Sequence, residues 1–342
     1  MNTILTRYRP LLPGIALSAI VTVLALIIAE IEEAIIGYAL LEPLVLALLL
    51  GLVIRNAWNP PAPFQPGIGF SGKQMLEFAI VLLGASLDFH SLVDAGFKLL
   101  LAIALMVTTA LVAGTIIGRT AGLETRQAIL IAVGNAICGN SAIAAVAPAI
   151  RATKQQIASA ISLTAVFGIG VVLVLPLFKA AIEMSDERYG VFAGMTVYAV
   201  PQVLAATFPV SAISGQFGSL TKLTRVLFLG PVVAIFAFIY REKDEDGAST
   251  TSLSVTKLFP WFIIGFVLLM ILRSIHIIPD EVGHRLQDVS KILTAIAMAA
   301  LGLSVDVRSV RSTGSRVFTT VAILTALLLV VAFTLVTVLS IG

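Results

Sequence analysis

The chain has 342 residues, of which 58% are hydrophobic and only 12% charged, and its mean hydropathy is +1.05. Soluble domains carry about 25% charged residues, so this surface must mostly face lipid, and the short loops leave no room for a sizeable soluble domain. A formal net charge of +3 without a basic run between aromatics gives no footing for a nucleic-acid partner.

Roughly 20 apolar residues make one membrane span. Candidate spans lie at 11–30, 39–57, 74–90, 97–118, 127–150, 155–178, 190–208, 221–240, 258–275, 289–306 and 316–341. The first follows Arg7 and Arg9 and runs into Glu30, Glu32 and Glu33 instead of a small-residue cleavage site. It therefore reads as a retained span and not as a secretory signal. The basic residues Arg7, Arg9, Arg55, Lys73, Arg119 and Arg126 flank alternate loops, which puts the N-terminus in the cytoplasm. Beyond the fifth span the charge pattern no longer fixes the orientation.

At the end of the third span, Leu83-Gly-Ala-Ser-Leu-Asp-Phe-His-Ser-Leu-Val-Asp-Ala-Gly96 begins an internal echo. It aligns without gaps to Leu301-Gly-Leu-Ser-Val-Asp-Val-Arg-Ser-Val-Arg-Ser-Thr-Gly314. Similarity between halves is the trace of repeat-built transporters. Asp88 and Asp306 are the acidic members of the pair and candidates for ion coupling, although solvated loop positions suit them as well.

The fifth span holds the densest polar cluster: Asn135, Cys138, Gly139, Asn140 and Ser141, with Pro148 following. Amides and a hydroxyl at membrane depth are costly unless they pair with protein, water or a ligand. Glycine and proline there predict a broken helix near Gly139, whose second half would open at Ser141 with free N–H groups suited to an anion. Close packing of small residues is the alternative reading. Cys138 is the only cysteine. It has no histidine or charged neighbour in sequence to activate it, so it lines or packs and does not catalyse. His90, His276 and His284 are scattered. No metal site, cofactor or enzymatic constellation is expected.

In the seventh span Tyr198 and Gln202 stand four apart around Pro201, which predicts a shared helix face beside a second break. Lys179 and Lys222 fall near span ends and are expected to snorkel. The most hydrophilic segment, Arg241 to Thr250, is the natural midpoint loop.

Asn135-Ala-Ile-Cys-Gly139 with its Ala-rich continuation to Pro148, Thr196-Val197 to Gln202-Val203, and Ala297-Met-Ala-Ala-Leu-Gly-Leu303 together resemble the YeiH family of bacterial inner-membrane proteins. That family is also called UPF0324 and is grouped by analogy with sulfate exporters. The resemblance covers nearly the whole chain. It implies a multi-span protein of the bacterial cytoplasmic membrane, related to antiporter and bile-acid-transporter folds, with sulfate or a related sulfur oxyanion as cargo. Many members carry a His and an acidic residue where this chain has Tyr198 and Ala199, so a titratable pair is absent here.

The expectation is an all-α polytopic protein of ten or eleven spans, in two inverted five-helix repeats with discontinuous helices. It forms one transmembrane domain with approximate halves 1–180 and 190–342. Its function would be secondary transport of a small anion (sulfate, a sulfur oxyanion or a sulfonate). Asn135, Cys138, Gly139, Asn140 and Ser141 would bind the anion, with Tyr198 and Gln202 closing the site. Sodium- or proton-coupled transport of another organic anion, or a passive anion channel, are the alternatives. The expected partners are the lipid bilayer, the anion, a coupling ion (Na+ or H+) and a second copy in a homodimer.

Overall fold

A computed structural model describes residues 9–36, 42–85, 89–240, 261–308 and 314–339. Every regular element among them is helical, as expected of a chain that must satisfy its backbone internally in lipid. In chain order the helices are α1 (Leu12–Ile36), α2 (Pro43–Trp58), α3 (Gln65–Phe70), α4 (Leu76–Gly84), α5 (Phe89–Thr120, interrupted at Gly96), α6 (Thr125–Ala136), α7 (Asn140–Val146) and α8 (Lys154–Ala181). Then come α9 (Asp186–Thr196), α10 (Val200–Thr207), α11 (Ala212–Leu227), α12 (Leu229–Ile239), α13 (Trp261–Ser274), α14 (Asp280–Ser304) and α15 (Ser315–Val338). One turn of π-helix, Ser71–Met75, joins α3 to α4.

Local sequence sets several of these boundaries. Thr153 and Gln156 form a capping box that starts α8. The hydroxyls of Ser185 and Ser211 accept the first free N–H groups of α9 and α11, as N-cap residues do.

Among the described residues six helical segments are long and apolar enough to cross a membrane: Arg9–Ile35, Gly96–Thr120, Lys154–Lys179, Ala212–Ile239, Glu281–Ser304 and Ser315–Val338. Pro43–Trp58 and Trp261–Ser274 are apolar but shorter. The remaining expected spans, 74–90, 127–150 and 190–208, fall on interrupted helices. Large apolar side chains such as Phe97 (77% exposed) and Phe238 (76%) point outward, the pattern of a surface solvated by lipid. The chain is a multi-pass membrane protein.

The helices group into two compact units. One comprises Met1–Ser91 and Phe262–Arg308, the other Leu92–Trp261 and Ser309–Gly342. In the first, α14 lies along α2 and α4. A Cβ on Gly302 would fall 2.2 Å from the Leu48 carbonyl, and one on Gly51 would fall 2.3 Å from the Ala299 carbonyl. These two glycines let α2 and α14 touch backbone to backbone. Gly84, the echo counterpart of Gly302, makes the equivalent contact with α13, 2.3 Å from the Phe266 carbonyl. Ser290 Oγ donates to the Ala79 carbonyl at 2.7 Å and ties α14 to α4.

The second unit holds both chain breaks. Its helices α9 and α11 also meet through glycine. A Cβ on Gly190 would lie 2.5 Å from the Ser214 carbonyl, and one on Gly194 would lie 2.6 Å from the Gly218 carbonyl. This closeness brings the middle of α11 against the C-terminal end of α9.

Replacing Gly302 by valine should therefore force α2 and α14 apart and cost about 3 kcal/mol of stability. Gly69→Ala, where nothing lies within 4 Å, should leave stability unchanged or slightly raised. Thermal unfolding of the two variants in one detergent measures the difference.

Candidate functional site

The first break separates α6 from α7. From Ala128 to Ala136 the residues of α6 are all buried. Helical geometry ends at Ile137 (φ −121°, ψ −87°) and resumes after Gly139. Gly139 has φ +66° and ψ −123°, a conformation open to glycine and strained for other residues. A Cβ there would also sit 3.3 Å from Thr164 Cγ2 and 3.5 Å from Tyr198 Cβ. The Gly139 N–H closes the turn on the Gly134 carbonyl at 2.9 Å.

The second break separates α9 from α10. Val197 and Ala199 are extended, and Pro201 sits in the first turn of α10, where a missing N–H costs nothing. Gln202 Oε1 accepts the Ala199 N–H at 3.1 Å. Since Gly139 packs on Tyr198, the two breaks touch each other inside the second unit.

Each break leaves the C-terminal carbonyls of a half-helix without intrahelical partners. Lys222 and Arg225, three apart on one face of α11 and both fully buried, fill that role. Lys222 Nζ donates to the carbonyl of Ile137 and, at 2.8 Å, to that of Val197, one from each break. Arg225 donates from Nε to Ala136 O at 3.1 Å, and from Nη2 to Asn135 O and Ala136 O, both at 2.8 Å. Its Nη1 serves the other helix end, reaching Gly194 O at 2.9 Å, Met195 O, and Val197 O at 3.4 Å. The five N–H groups of one guanidinium thus bind the ends of both α6 and α9.

The balance of charge turns on Lys222. A helix C-terminus carries about half a negative charge, so two of them offset about one positive charge. Among the described residues of the second unit no Asp or Glu is buried. With Lys222 protonated, about one positive charge is left at the meeting point of the breaks; with Lys222 neutral, the two helix ends balance Arg225.

The residues expected from sequence gather around this point. Asn135 is buried; its Nδ2 donates to the Ile131 carbonyl at 2.8 Å, and its Oδ1 has no hydrogen-bond partner. The Cys138 sulfur faces the Ser141 hydroxyl and the Ala142 N–H, and both Lys222 and Arg225 are near enough to act on it electrostatically. Asn140 is half-buried and Ser141 exposed in the first turn of α7. The Tyr198 hydroxyl pairs with Thr325 Oγ1 on α15.

Two expectations need correction. Tyr198 and Gln202 do not share a helix face, because α10 begins at Val200 and Tyr198 lies in the extended break. Gln202 instead caps its own helix and packs against Gly168 of α8. Lys222 does not snorkel. The helix begins at Ala212, not near 221, so Lys222 lies well inside a continuous apolar stretch from Ala212 to Ile239. Lys179, by contrast, lies at the end of α8 and pairs with Asp186. Of the two coupling candidates, Asp88 lies outside the described residues. Asp306 lies beyond α14 in the first unit, where its Oδ1 accepts the Arg308 N–H at 2.9 Å.

Sequence reasoning missed Arg225 altogether. The signal was present in Leu220-Thr-Lys-Leu-Thr-Arg-Val226: two cations at helical spacing inside an apolar segment, which are rarely tolerated at membrane depth without a role.

Residues 13–321 match the family described as conserved hypothetical protein 698. The chain is 48% identical over 312 residues to a UPF0324 membrane protein of Brucella melitensis, covering 91% of this chain and 86% of the relative. It is 45% identical to one of Bradyrhizobium diazoefficiens over 98% and 95% of the two chains, and 31% identical to one of Clostridium tetani over 94% and 95%. No solved structure matches the chain.

Removing the guanidinium strands carbonyls of both half-helices at once. Arg225→Met should lower stability by more than about 3 kcal/mol. Arg225→Lys should recover only part of this, since three donors replace five. Thermal unfolding of the detergent-solubilised variants tests the ranking.

Proposed function

We propose that this chain, which belongs to the UPF0324 family of membrane proteins, is a secondary transporter that carries a small anion across the membrane by alternating access. The observation that carries this reading is the buried Lys222–Arg225 pair at the contact of two broken helices, with no buried carboxylate among the described residues of the second unit to balance it. Discontinuous helices meeting at membrane depth are how transporters hold a solute midway across. With Lys222 protonated the site carries an excess of about one positive charge, which suits an anion.

The anion would bind beside Lys222, against Asn135, Cys138, Gly139 and Asn140 of the first break and Tyr198 of the second. Gln202 would hold the second break in shape without touching the anion. Ser141 would act through Cys138. The site has hydrogen-bond donors and one cationic ligand group but no nucleophile–base pair, which fits binding and release of an unchanged solute better than catalysis. Sulfate, a related sulfur oxyanion or a sulfonate suits such donors.

Two features of the fold support alternating access. The chain divides into two compact units, which supplies the two bodies that such a mechanism needs. Gly84 and Gly302 stand at matching places in the echo, and each makes a backbone contact with another helix of the first unit. We infer from this reciprocity that the chain descends from an inverted repeat.

Reconstituted vesicles separate a carrier from a channel. Labelled sulfate or methanesulfonate flux should saturate with concentration and depend on the counter-ion gradient; flux that rises linearly and follows only the membrane potential would replace the carrier with a channel. Asn140→Leu should abolish transport while the protein still inserts and runs as a monodisperse species. Undiminished flux in that variant would remove Asn140 from the site.

A further inference from the structure

Lys222 has a hydrogen-bonding inventory that its neighbours satisfy in only one protonation state. An ammonium has three N–H donors. Lys222 is fully buried, and among the described residues its acceptors are two, the carbonyls of Ile137 and Val197. A neutral amine has two N–H groups and a lone pair, which matches that pair of carbonyls with no donor left over. A third buried N–H without an acceptor carries a desolvation penalty. Arg225, one turn along the same helix, is already cationic and bonded to carbonyls of Asn135, Ala136, Gly194 and Met195, so it disfavours a second charge beside it.

The other titratable groups facing Lys222 do not supply a counter-charge. Cys138 approaches from the first break and hydrogen-bonds to the Ser141 hydroxyl and the Ala142 N–H. Tyr198, in the second break, has its hydroxyl bonded to Thr325. Of the helices packed on α11, α10 and α12 carry no titratable residue. The charged residues of α9, namely Asp186, Glu187 and Arg188, occupy its first turn, at the end away from Gly194 and Met195. Tyr189 is bonded to the Ala206 carbonyl at 2.7 Å.

We propose that Lys222 is the proton site of the transporter, taking up one proton when an anion binds and releasing it when the anion leaves. In the empty site it is a neutral amine held by Ile137 and Val197. When an anion arrives, the lone pair accepts a proton from water, and the new N–H bond is directed at the anion. The proton returns to water on the side where the anion dissociates, so anion and proton cross together. This rests on the anion reading above. It moves the coupling role from the loop carboxylates to α11.

The test uses the purified full-length protein in weakly buffered detergent with a pH indicator. The probes are sodium methanesulfonate and sodium sulfate, neither of which titrates between about pH 6 and about pH 10. Binding is followed in parallel by calorimetry. Proton uptake should rise with pH toward about one per bound anion, and apparent affinity should fall about tenfold per pH unit on the alkaline limb. Lys222→Arg, with a fixed charge, should bind the anion without uptake and with affinity independent of pH. Anion binding without proton uptake at any pH overturns the proposal and leaves anion transport standing. Uptake that persists in Lys222→Arg assigns the proton to another group and overturns it too. If neither anion binds at any pH, the anion reading falls and the coupling with it. Lys222→Met, which removes the amine without adding a charge, is the second variant: proton uptake on anion binding that persists in it overturns the proposal.

Discussion

The second unit depends on one arrangement: the ends of two half-helices held by two basic side chains from a third helix. Breaking a helix in lipid exposes carbonyls that water cannot reach, at several kcal/mol each. Arg225 and Lys222 satisfy those carbonyls from both breaks, and the glycines at 190, 194 and 218 admit α11 closely enough for them to do so. The breaks, the small residues and the buried cations are therefore one construction. None of the three is stable without the other two.

That construction also shapes what the site can hold. The half-charges of two helix ends offset about one positive charge, that of Arg225, so the site becomes electropositive when Lys222 takes up a proton. Arg225 spends its donors on the backbone and serves as structure. Lys222 has a smaller share of the carbonyls and keeps a coordination position to offer. The two residues look alike in sequence but differ in role because a planar five-donor fork and a three-donor point charge meet different numbers of acceptors.

Much of this is legible in the amino-acid sequence. The breaks are, because Gly139 and Pro201 carry backbone constraints that hold in any surroundings. The polar cluster from Asn135 to Ser141 is too, since its residues lie together along the chain. The role of α11 is harder to see. Hydropathy places a span's start where the average turns apolar, and Gly215, Gln216, Gly218 and Ser219 delay that point past the true start at Ala212. On that pattern Lys222 falls near water, whereas the helix buries it. Tyr198 and Gln202 mislead for a related reason: spacing arguments assume a continuous helix, and Pro201 belongs to a first turn instead of an interior.

The hydrogen bonds from Arg225 to the first break also span a long stretch of chain, 89 or 90 residues. During synthesis, α6 and α7 leave the ribosome well before the donors for their carbonyls exist. The contacts that complete the end of α6 therefore form only after residue 225 has been made. The same clamp that organises the mature site thus sets an order of assembly, in which an early helix is completed by a late one.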